Sequence, residues 1–424
     1  MSVVVVVGLN HASAPFDLLE RVHVGPEQQH KLLAELPSSH AIDEAVVLAT
    51  CQRTEIYIAG EWYHPAVDEV HAALADLAGV SVEDITAHGF AYHGDQALKH
   101  LFRVAAGLDS PVIGETEVLG QLRSAAAAAH AAGAAGSELS AAFRKATSVA
   151  RRARAALAAG STEPRPSLAS AAVAMVDDRF GDATPRRVGV LGGGDVATSV
   201  LDALIAADPS REVAQFTRKA TAARRVRARV TAHPLADLPE HLVDLDVVFC
   251  CTGADAAIVT EPMLLTALAD RDARALWLVD LAVPRDVAPA ARDIEDVTLL
   301  DVRDVSRFAG ERFAPPAATI AAAEEAVIDG VDAYLAAATG RTVAPIVTAL
   351  REKVETARVA ELQRAKALVA SLDDAQREAL DALTKALLAK VLHEPTVRLK
   401  DAAGSEAGDR LASSVRHLFD LDDR

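Results

Sequence analysis

The sequence is poor in cysteine and in positive charge, and each shortage excludes a class of protein. Its 424 residues include only three cysteines, too few for a disulfide framework or a cysteine-rich metal site, so a reducing cytoplasm is the expected setting. Aspartate and glutamate (60) outnumber lysine and arginine (43), and the net charge of -17 excludes nucleic-acid binding through a broad basic surface. Any RNA partner must therefore be held by a local basic patch.

Long apolar runs are also missing, although hydrophobic residues make up 51% of the chain and aromatic residues 4%. No run is long enough to span a membrane. Residues 1–8 are apolar but short and have no cationic lead, so they predict a first β strand rather than a signal peptide. His88, His93 and His100 match no zinc-ligand spacing, and no metal site is predicted. The length predicts about two to four domains.

Cys51 is the candidate nucleophile. Residues 45–48 predict a buried strand, and residues 54–58 alternate polar and apolar side chains like a second strand, so Cys51 is expected at the turn between them. Arg53 is a permanent cation two positions away, and a nearby cation lowers the pKa of a thiol. The alternative at this point is a buried structural cysteine, since free cysteine is usually a small hydrophobe.

A helix is predicted over residues 97–106, where apolar residues recur at helical spacing and Gly107 is a plausible stop. It carries His100, for which a catalytic base and a satisfied structural histidine are both open interpretations. The following loop leads to Glu115 and Glu117, just before a long alanine-rich helix. A carboxylate there also suits a helix N-terminus, so its chemical role stays open.

The densest basic run of the first half is Arg144, Lys145, Arg151, Arg152 and Arg154. Arg144 and Arg151 are seven residues apart, as are Lys145 and Arg152, which places each pair on one side of a helix. An RNA contact and an ordinary solvated helix face are both open.

The second region has the signature of a dinucleotide-binding domain. A predicted strand at residues 187–191 is followed at once by a glycine-rich loop and the start of a helix, Gly192, Gly193, Gly194, Asp195, Val196 and Ala197. This fits the G-x-G-x-x-G/A pattern, which allows a tight turn, close approach to a pyrophosphate and tight helix–strand packing. Further strands are predicted at residues 213–216, 246–251, 276–279 and 297–300. Together they predict a doubly wound parallel sheet, with the adjacent Cys250 and Cys251 in its core.

Three residues at the end of the second strand bear on the cofactor. Thr217, Arg218 and Lys219 stand where an NAD-specific protein places an acid for the ribose 2′-hydroxyl. Cations there suit a 2′-phosphate, so NADPH is favoured over NADH. Thr252, after the strand at 246–251, is expected to lie beneath the nicotinamide half.

Three domains are predicted. Residues 160–166 break a helix and end a compact α+β domain over 1–160, for which the family resemblance described below implies catalysis and substrate recognition. An NADPH-binding Rossmann-like domain is predicted over 161–312. Residues 313–424 are predicted to be helical from about residue 317 onward, which suggests a dimerisation module, with a monomeric helical cap as the alternative.

Taken together, these motifs resemble the glutamyl-tRNA reductase family along nearly the whole chain. The similar segments are residues 8–15, the nucleophile motif at 50–57, the substrate-pocket signature at 100–121, and residues 280–286 and 390–396. The resemblance implies an α+β catalytic domain, a Rossmann-like NADPH domain, and a long connecting helix leading to a helical dimerisation domain.

The resemblance also implies roles for individual residues. Cys51 would attack the aminoacyl ester of glutamyl-tRNA, His100 would be important for activity, and Arg53 would be the natural partner of a substrate carboxylate. The glycine-rich loop would bind NADPH. The implied substrate pocket comprises Thr50, Gln52, Arg53, Ser110, Glu115, Thr116, Glu117 and Gln121.

Several positions depart from the residues usual in the family. Gln52 replaces asparagine, Pro111 replaces methionine or leucine, and Glu117 replaces glutamine. The Glu-Thr that usually follows the arginine at position 154 is absent. An added carboxylate at position 117 is expected to repel a glutamyl substrate by roughly a kcal/mol or more, unless it is protonated or paired.

The implied reaction is NADPH-dependent reduction of glutamyl-tRNA(Glu) to glutamate-1-semialdehyde through a cysteine thioester, the first step of the C5 route to 5-aminolevulinate and tetrapyrroles. The implied partners are the tRNA, a second copy in a homodimer and the aminotransferase that uses the product, all in the cytoplasm. Two alternatives stay open: a cysteine-dependent semialdehyde dehydrogenase that uses no tRNA, and a catalytically weakened paralogue that only binds.

Overall fold

The computed structural model describes residues 3–115, 117–159, 166–181, 187–220, 224–227, 229–254, 256–271, 274–402 and 406–421. The chain forms two compact units, Met1–Gly330 and Val331–Arg424. The first unit contains two β sheets, and the second is helical. The limits of the three domains drawn from the sequence stay predictions.

A four-stranded antiparallel sheet forms the first part of the larger unit, in the order β2-β3-β1-β4. Its strands are β1 (Val3–Asn10), β2 (Glu44–Thr50), β3 (Arg53–Gly60) and β4 (Phe90–His93). The valine-rich β1 and its neighbour β3 are buried along nearly their whole length, because helices cover both faces. The helices are α1 (Phe16–Arg21), α2 (Pro26–Glu35), α3 (Tyr63–Ala78), α4 (Val82–His88), α5 (Gly94–Ala106), α6 (Glu117–Ala131) and α7 (Ser137–Leu157).

A seven-stranded sheet forms the second part, in the order β11-β10-β9-β5-β6-β8-β7. Its strands are β5 (Arg187–Leu191), β6 (Glu212–Thr217), β7 (Arg224–Arg227), β8 (Val230–Pro234), β9 (Val247–Cys250), β10 (Leu276–Asp280) and β11 (Val297–Asp301). All neighbours are parallel except β7 and β8. The strand order reverses between β5 and β9, which is where doubly wound sheets bind ligands. The predicted fold class is confirmed.

Helices cover both faces of this sheet. They are α8 (Leu168–Phe180), α9 (Asp195–Ala207), α10 (Leu238–His241), α11 (Glu261–Ala269) and α12 (Val302–Arg312). The apolar core under α8, α9 and α12 extends to the first part of the unit, because Val112 belongs to it and Cys51 packs against it. The hairpin that carries Cys51 is therefore joined directly to the core of the second sheet.

A charged contact also joins the two parts of the larger unit. Arg285 donates from its backbone N–H (2.7 Å) and from Nε (2.8 Å) to Glu20 on α1, and from Nη2 to Asp17 (2.6 Å). The ring of Phe16 lies 5.2 Å from the guanidinium carbons of both Arg285 and Arg303. These cation–π and ion-pair contacts hold α1 against the second sheet.

The predicted helical tail is confirmed. It comprises α13 (Ala317–Arg364), α14 (Lys366–Ala370), α15 (Asp374–Ala402) and α16 (Glu406–Leu418). Leu383, Leu387 and Val391 on α15 are 67%, 60% and 62% exposed. Their spacing of four places them on one face of the helix, so α15 carries an uncovered apolar stripe. None of the helices in the described part of the chain is long and apolar enough to cross a membrane.

Candidate active site

Cys51 lies on the two-residue turn between β2 and β3, as the sequence predicted. Thr50 and Arg53 are the last paired residues of the two strands, so the turn itself consists of Cys51 and Gln52. The backbone N–H of Gln52 donates to Thr50 Oγ1 (3.1 Å), and its carbonyl accepts from His11 N (2.9 Å). The turn is therefore fixed on both sides, and Cys51 is presented from a rigid hairpin.

A cavity of about 20 Å³ surrounds Cys51. It is lined by Thr50, Cys51, Gln52, Arg53, Ser110, Pro111, Val112, Glu115, Glu117, Val118, Gln121 and Leu168. The structure thus brings together the residues predicted for the substrate pocket, except Thr116, which lies outside the described residues. A cavity of this size holds about one water molecule. This volume is smaller than that of a glutamyl group.

Sequence reasoning missed the apolar walls of this cavity. Val112 and Val118 flank the predicted acidic residues, and Leu168 comes from α8 in the second part of the unit. Leu168 had no signal in the sequence, because its position depends on how the two sheets pack together.

The expectation that the pKa of the Cys51 thiol is lowered is wrong. Burial, followed by the Glu115 and Glu117 carboxylates, raises the pKa of the thiol to about 12, and Arg53 opposes this only weakly. The guanidinium of Arg53 is already committed: Nη1 donates to Glu55 Oε1 (2.8 Å) and Nη2 to the Asp109 carbonyl (2.7 Å). Because Cys51 is protonated at neutral pH, its use as a nucleophile requires a proton acceptor.

A buried charge network lies behind the hairpin and includes His100. Glu55 accepts hydrogen bonds from Arg53 (2.8 Å) and from the Tyr57 hydroxyl (2.6 Å), and its Oε1 lies 3.0 Å from His100 Nε2. The other ring nitrogen, Nδ1, lies 3.4 Å from Asp109 Oδ2. Both nitrogens of His100 therefore face carboxylates.

Glu55 and His100 are both charged at neutral pH. Burial would raise the pKa of Glu55, but the charges of His100 and Arg53 lower it to about 2. Burial would lower the pKa of His100, but Glu55 and Asp109 raise it to about 9. His100 is consequently a cation held between two carboxylates.

Glu115 and Glu117 are the acidic residues of the cavity. Burial raises the pKa of Glu115 to about 7, against the hydrogen bond that Ser110 donates to it. Burial also raises the pKa of Glu117, which accepts a hydrogen bond from Ser199 on α9. A neutral hydroxyl does not cancel the charge, so the repulsion expected from Glu117 stays a prediction; its carboxylate also raises the pKa of Cys51 and of Glu115. The bond from Ser199 connects the Cys51 cavity to the helix that follows the glycine-rich loop.

A second cavity, of about 610 Å³, lies at the carboxyl ends of β5, β6 and β9. Of the predicted cofactor residues, it is lined by Gly192, Gly193, Gly194, Thr217, Arg218, Lys219 and Thr252. Its place at the switch point of the sheet and its size suit a dinucleotide.

The glycine-rich loop fits the pyrophosphate of such a ligand. Gly192 has φ +120°, and a Cβ there would lie 2.8 Å from the Cys251 carbonyl oxygen, so only glycine is tolerated. A Cβ on Gly194 would meet nothing within 4 Å, which leaves open space in front of the N-terminus of α9. Backbone N–H groups there can bind an anion.

Three other residues predicted to bind the cofactor, Asp195, Val196 and Ala197, do not line this cavity. Asp195 and Val196 line a neighbouring cavity of about 500 Å³, which also includes Glu117 and Gln121. Ala197 is fully buried beneath the loop. Thr252 Oγ1 and N both donate to Asp286, which fixes the loop after β9. Cys250 and Cys251 are buried, as predicted.

The sequence and fold of the chain match known proteins along almost its whole length. Family models match for the glutamyl-tRNAGlu reductase N-terminal domain over residues 7–157, shikimate/quinate 5-dehydrogenase over 174–308 and the glutamyl-tRNAGlu reductase dimerisation domain over 322–421. The glutamyl-tRNA reductase of Thermobifida fusca is 34% identical, over 99% of this chain and 96% of that protein. Glutamyl-tRNA reductase 1 of a Nocardioides species is 35% identical with the same coverage. The chain belongs to the glutamyl-tRNA reductase family.

A solved member of the glutamyl-tRNA reductase family agrees in fold. The glutamyl-tRNA reductase from Methanopyrus kandleri is 24% identical and covers 99% of each chain, with a TM-score of 0.50. The resemblance drawn from the sequence motifs is therefore confirmed. With its dehydrogenase-type domain, this member of the family is an oxidoreductase that uses a nicotinamide cofactor.

The basic run lies on α7, and its arginines differ in exposure and in their contacts. Arg144 and Arg151 are exposed, whereas Arg152 pairs with Asp329 (3.0 Å). Arg154 is half-buried, and burial and the nearby Arg123 lower its pKa while Glu115 opposes this. Arg154 thus lies towards the Cys51 cavity of this glutamyl-tRNA reductase family member. Within the described residues, no cluster of three or more histidine, cysteine or acidic side chains could hold a metal ion.

Proposed function

We propose that the protein reduces the glutamyl group of glutamyl-tRNA(Glu) to glutamate-1-semialdehyde with NADPH and releases the tRNA. This is the first step of the C5 route to 5-aminolevulinate and tetrapyrroles. One observation carries the proposal: residues around Cys51, residues within 110–121 and Leu168 line one cavity, and the neighbouring 500 Å³ cavity shares Glu117 and Gln121 with it and extends to Asp195 and Val196 after the glycine-rich loop. Membership of the glutamyl-tRNA reductase family supports it.

The chemistry explains why a cysteine is needed. An ester carbonyl is a poor hydride acceptor, so the sulfur of Cys51 first displaces the tRNA ribose oxygen and forms a thioester. Bound reduced nicotinamide supplies the hydride that converts the more electrophilic thioester to the aldehyde. The sulfur of Cys51 leaves as the C–S bond breaks. The hairpin holds Cys51 in place, and the apolar side chains of Val112, Val118 and Leu168 limit the water that can reach the thioester.

The deciding experiment is NADPH oxidation by the purified protein with glutamyl-tRNA(Glu), compared with free glutamyl thioesters and acyl phosphates. Oxidation that depends on charged tRNA supports the proposal. Turnover with acyl phosphates but not with the charged tRNA would indicate a tRNA-independent semialdehyde dehydrogenase. Binding of the tRNA without turnover would indicate a paralogue that only binds.

We expect NADPH to be preferred over NADH because of Arg218 and Lys219. Both side chains are exposed at the cavity beyond the end of β6. A charge-assisted hydrogen bond contributes about 1.5–3 kcal/mol. Changing both residues to glutamine should therefore raise the KM for NADPH by at least on the order of 100-fold and leave the KM for NADH nearly unchanged. Steady-state kinetics with both cofactors tests this, and equal use of the two by the unaltered protein would contradict it.

The tRNA is expected to contact the exposed arginines of α7. Arg144 and Arg151 are exposed, whereas Arg152 is engaged by Asp329. Changing Arg144 and Arg151 to glutamine should weaken tRNA binding and flatten its salt dependence by up to about one log–log unit per lost phosphate contact.

The matched control removes two arginines from the C-terminal helices, Arg364 and Arg377, which form ion pairs within their own helices. Net charge changes equally in the two variants. Equal salt slopes in both, measured by tRNA binding over a salt series, would show that the tRNA is held elsewhere.

Further partners are proposed with this function. A homodimer through the C-terminal unit is supported by the match to the family's dimerisation domain and by the uncovered stripe of Leu383, Leu387 and Val391. The aminotransferase that consumes the aldehyde is a proposed partner, because a reactive aldehyde benefits from direct transfer. The proposed setting is the cytoplasm, which suits three cysteines that are all free.

A further inference from the structure

Thioester formation at Cys51 requires a proton to move twice. The S–H proton must leave as the sulfur attacks, and the departing ribose oxygen of the tRNA must gain a proton. The thiol cannot ionise unaided at neutral pH, because burial and the two nearby carboxylates raise its pKa to about 12. A group in the cavity must therefore carry the proton, and this requirement rests on the function proposed above.

The two cationic side chains near the hairpin cannot take this role. His100 has a carboxylate beside each ring nitrogen, with Nε2 3.0 Å from Glu55 and Nδ1 3.4 Å from Asp109. His100 is also not among the residues that line the cavity. Arg53 lines the cavity but holds its protons in bonds to Glu55 and to the Asp109 carbonyl.

Among the described residues that line the cavity, the carboxylates are Glu115 and Glu117. Glu117 is bonded to Ser199 on α9 and also faces the neighbouring 500 Å³ cavity. Glu115 is bonded to Ser110, another residue of the Cys51 cavity. Of the neighbouring charges, that of Glu115 has the largest effect on the pKa of the Cys51 thiol.

The backbone holds Glu115 in this position. Its N–H donates to the Val112 carbonyl (3.0 Å), and the preceding Gly114 N–H donates to the Gly107 carbonyl (2.9 Å). Gly107 has φ +76°, and a Cβ there would lie 3.0 Å from the Glu115 carbonyl oxygen. The segment after α5 therefore folds back onto Gly107 and fixes the backbone of Glu115 ahead of α6.

We propose that Glu115 is a catalytic residue that carries the proton during thioester formation. Its carboxylate accepts the Cys51 S–H proton as the sulfur bonds to the ester carbonyl carbon. Its carboxyl then gives that proton to the ribose oxygen as the C–O bond breaks. The products are the thioester at Cys51 and the tRNA with a free hydroxyl; Glu115 is again a carboxylate, and nothing is oxidised or reduced in this step.

The charges around Glu115 suit a proton carrier at neutral pH. Burial and the Glu117 carboxylate raise its pKa, while the Ser110 hydroxyl, Arg53 and Arg154 lower it, and the resulting value is about 7. The groups that face Cys51 are Glu115, Glu117 and Arg53. A proton acceptor whose pKa lies near the operating pH is the most effective.

The test measures two rates at Cys51 in the full-length protein and in Glu115→Gln. The first is formation of the protein-bound glutamyl thioester from glutamyl-tRNA, in a single turnover without NADPH. The second is alkylation of Cys51 by iodoacetamide, in a background in which Cys250 and Cys251 remain buried. Binding of NADPH reports that each variant is folded.

The two rates should move in opposite directions. Removing the Glu115 charge lowers the pKa of the thiol, so alkylation should become faster. Thioester formation should fall by on the order of 100- to 10,000-fold, because the proton carrier is lost. A residue that only supports the structure would not produce this pair of changes, and Glu115→Asp should recover part of the rate.

The pH profile gives a second readout. In the unaltered protein, thioester formation should rise with pH through about 7, as Glu115 ionises, and then level off. Glu115→Gln should lack this step. Glu117→Gln should keep it but move it to lower pH, because the like charge that raises the pKa of Glu115 is removed.

The outcomes separate this inference from the proposed function. If the unaltered protein forms no thioester with glutamyl-tRNA, the proposed function is wrong, and the role proposed for Glu115 is wrong as well. If it forms the thioester and Glu115→Gln does so at the same rate and with the same pH profile, the role of Glu115 alone is overturned.

Discussion

Replacing Cys51 with serine is expected to abolish tRNA-dependent NADPH oxidation and to leave folding and NADPH binding intact. A serine hydroxyl at this position would only exchange one ester for another, and an ester is as poor a hydride acceptor as the substrate. The exchange of sulfur for oxygen is small, and the hydrogen bonds that hold the turn involve the neighbours Thr50 and Gln52. Activity in the serine variant should therefore fall to background, measured by NADPH oxidation with charged tRNA.

Cys250 provides the matched control, because it is fully buried in β9 and takes no part in the Cys51 cavity. Cys250→Ala removes buried volume from the second sheet and should cost roughly 1–2 kcal/mol of unfolding free energy while turnover persists. Full activity in Cys51→Ser would rule out the thioester route. Loss of activity in Cys250→Ala with normal folding would mean that the wrong cysteine has been identified.

The elements around the active site could be predicted because their signals are local. The strands before and after Cys51 follow from an apolar run and an alternating pattern, and the end of α5 follows from Gly107. The glycine-rich loop could be placed because a buried strand precedes it and a helix follows. Strand β8 was missed, since its five residues end in His233 and Pro234 and carry too weak a pattern.

The polar residues of the cavity could be predicted, but their electrostatics could not. Arg53 was expected to face Cys51 because it is close in sequence. Arg53, Glu55 and Tyr57 are two residues apart, and alternate residues of a strand share one face. This pattern in β3 was a signal that Arg53 has its partner on its own strand.

The other differences depend on distant parts of the chain. The pairing of Glu117 with Ser199 and the contact of Leu168 with the Cys51 cavity both cross between the two sheets. The sequence contains no periodicity that reports how two domains pack. The rise in the pKa of Cys51 has the same origin, because burial by these distant segments outweighs the nearby cation.

Replacing Glu55 with glutamine should lower the free energy of unfolding by about 3–5 kcal/mol, the usual cost of breaking a buried ion pair by removing one partner. Glu55 is fully buried and contacts Arg53, Tyr57 and His100 at 2.8, 2.6 and 3.0 Å. An amide keeps the hydrogen-bonding shape but not the charge, so Arg53 and His100 lose their main compensation. Urea-induced unfolding followed by circular dichroism measures the change.

An exposed carboxylate supplies the matched control. Glu35 on α2 lies 4.0 Å from Lys31, and both side chains are more than half exposed. Glu35→Gln removes the same charge from an ion pair of the kind that contributes at most about 1 kcal/mol. A loss in Glu55→Gln no larger than that in Glu35→Gln would contradict the importance of the buried network.

The pH dependence of this difference identifies charge as its cause. The pKa of Glu55 is about 2 in the folded protein and 4.5 ordinarily, so its contribution to stability is present above about 4.5 and is lost as the pH falls towards 2. The pKa of His100 is raised from 6.5 to about 9, so its contribution is present below about 6.5 and is lost as the pH rises through 9. The second contribution depends largely on Glu55, which is the strongest charge acting on His100. The difference in stability between the unaltered protein and Glu55→Gln should therefore be greatest between about pH 4.5 and 6.5 and should shrink on both sides. A difference that stays constant across the whole pH range would mean that Glu55→Gln acts through packing and that the network contributes little through its charge.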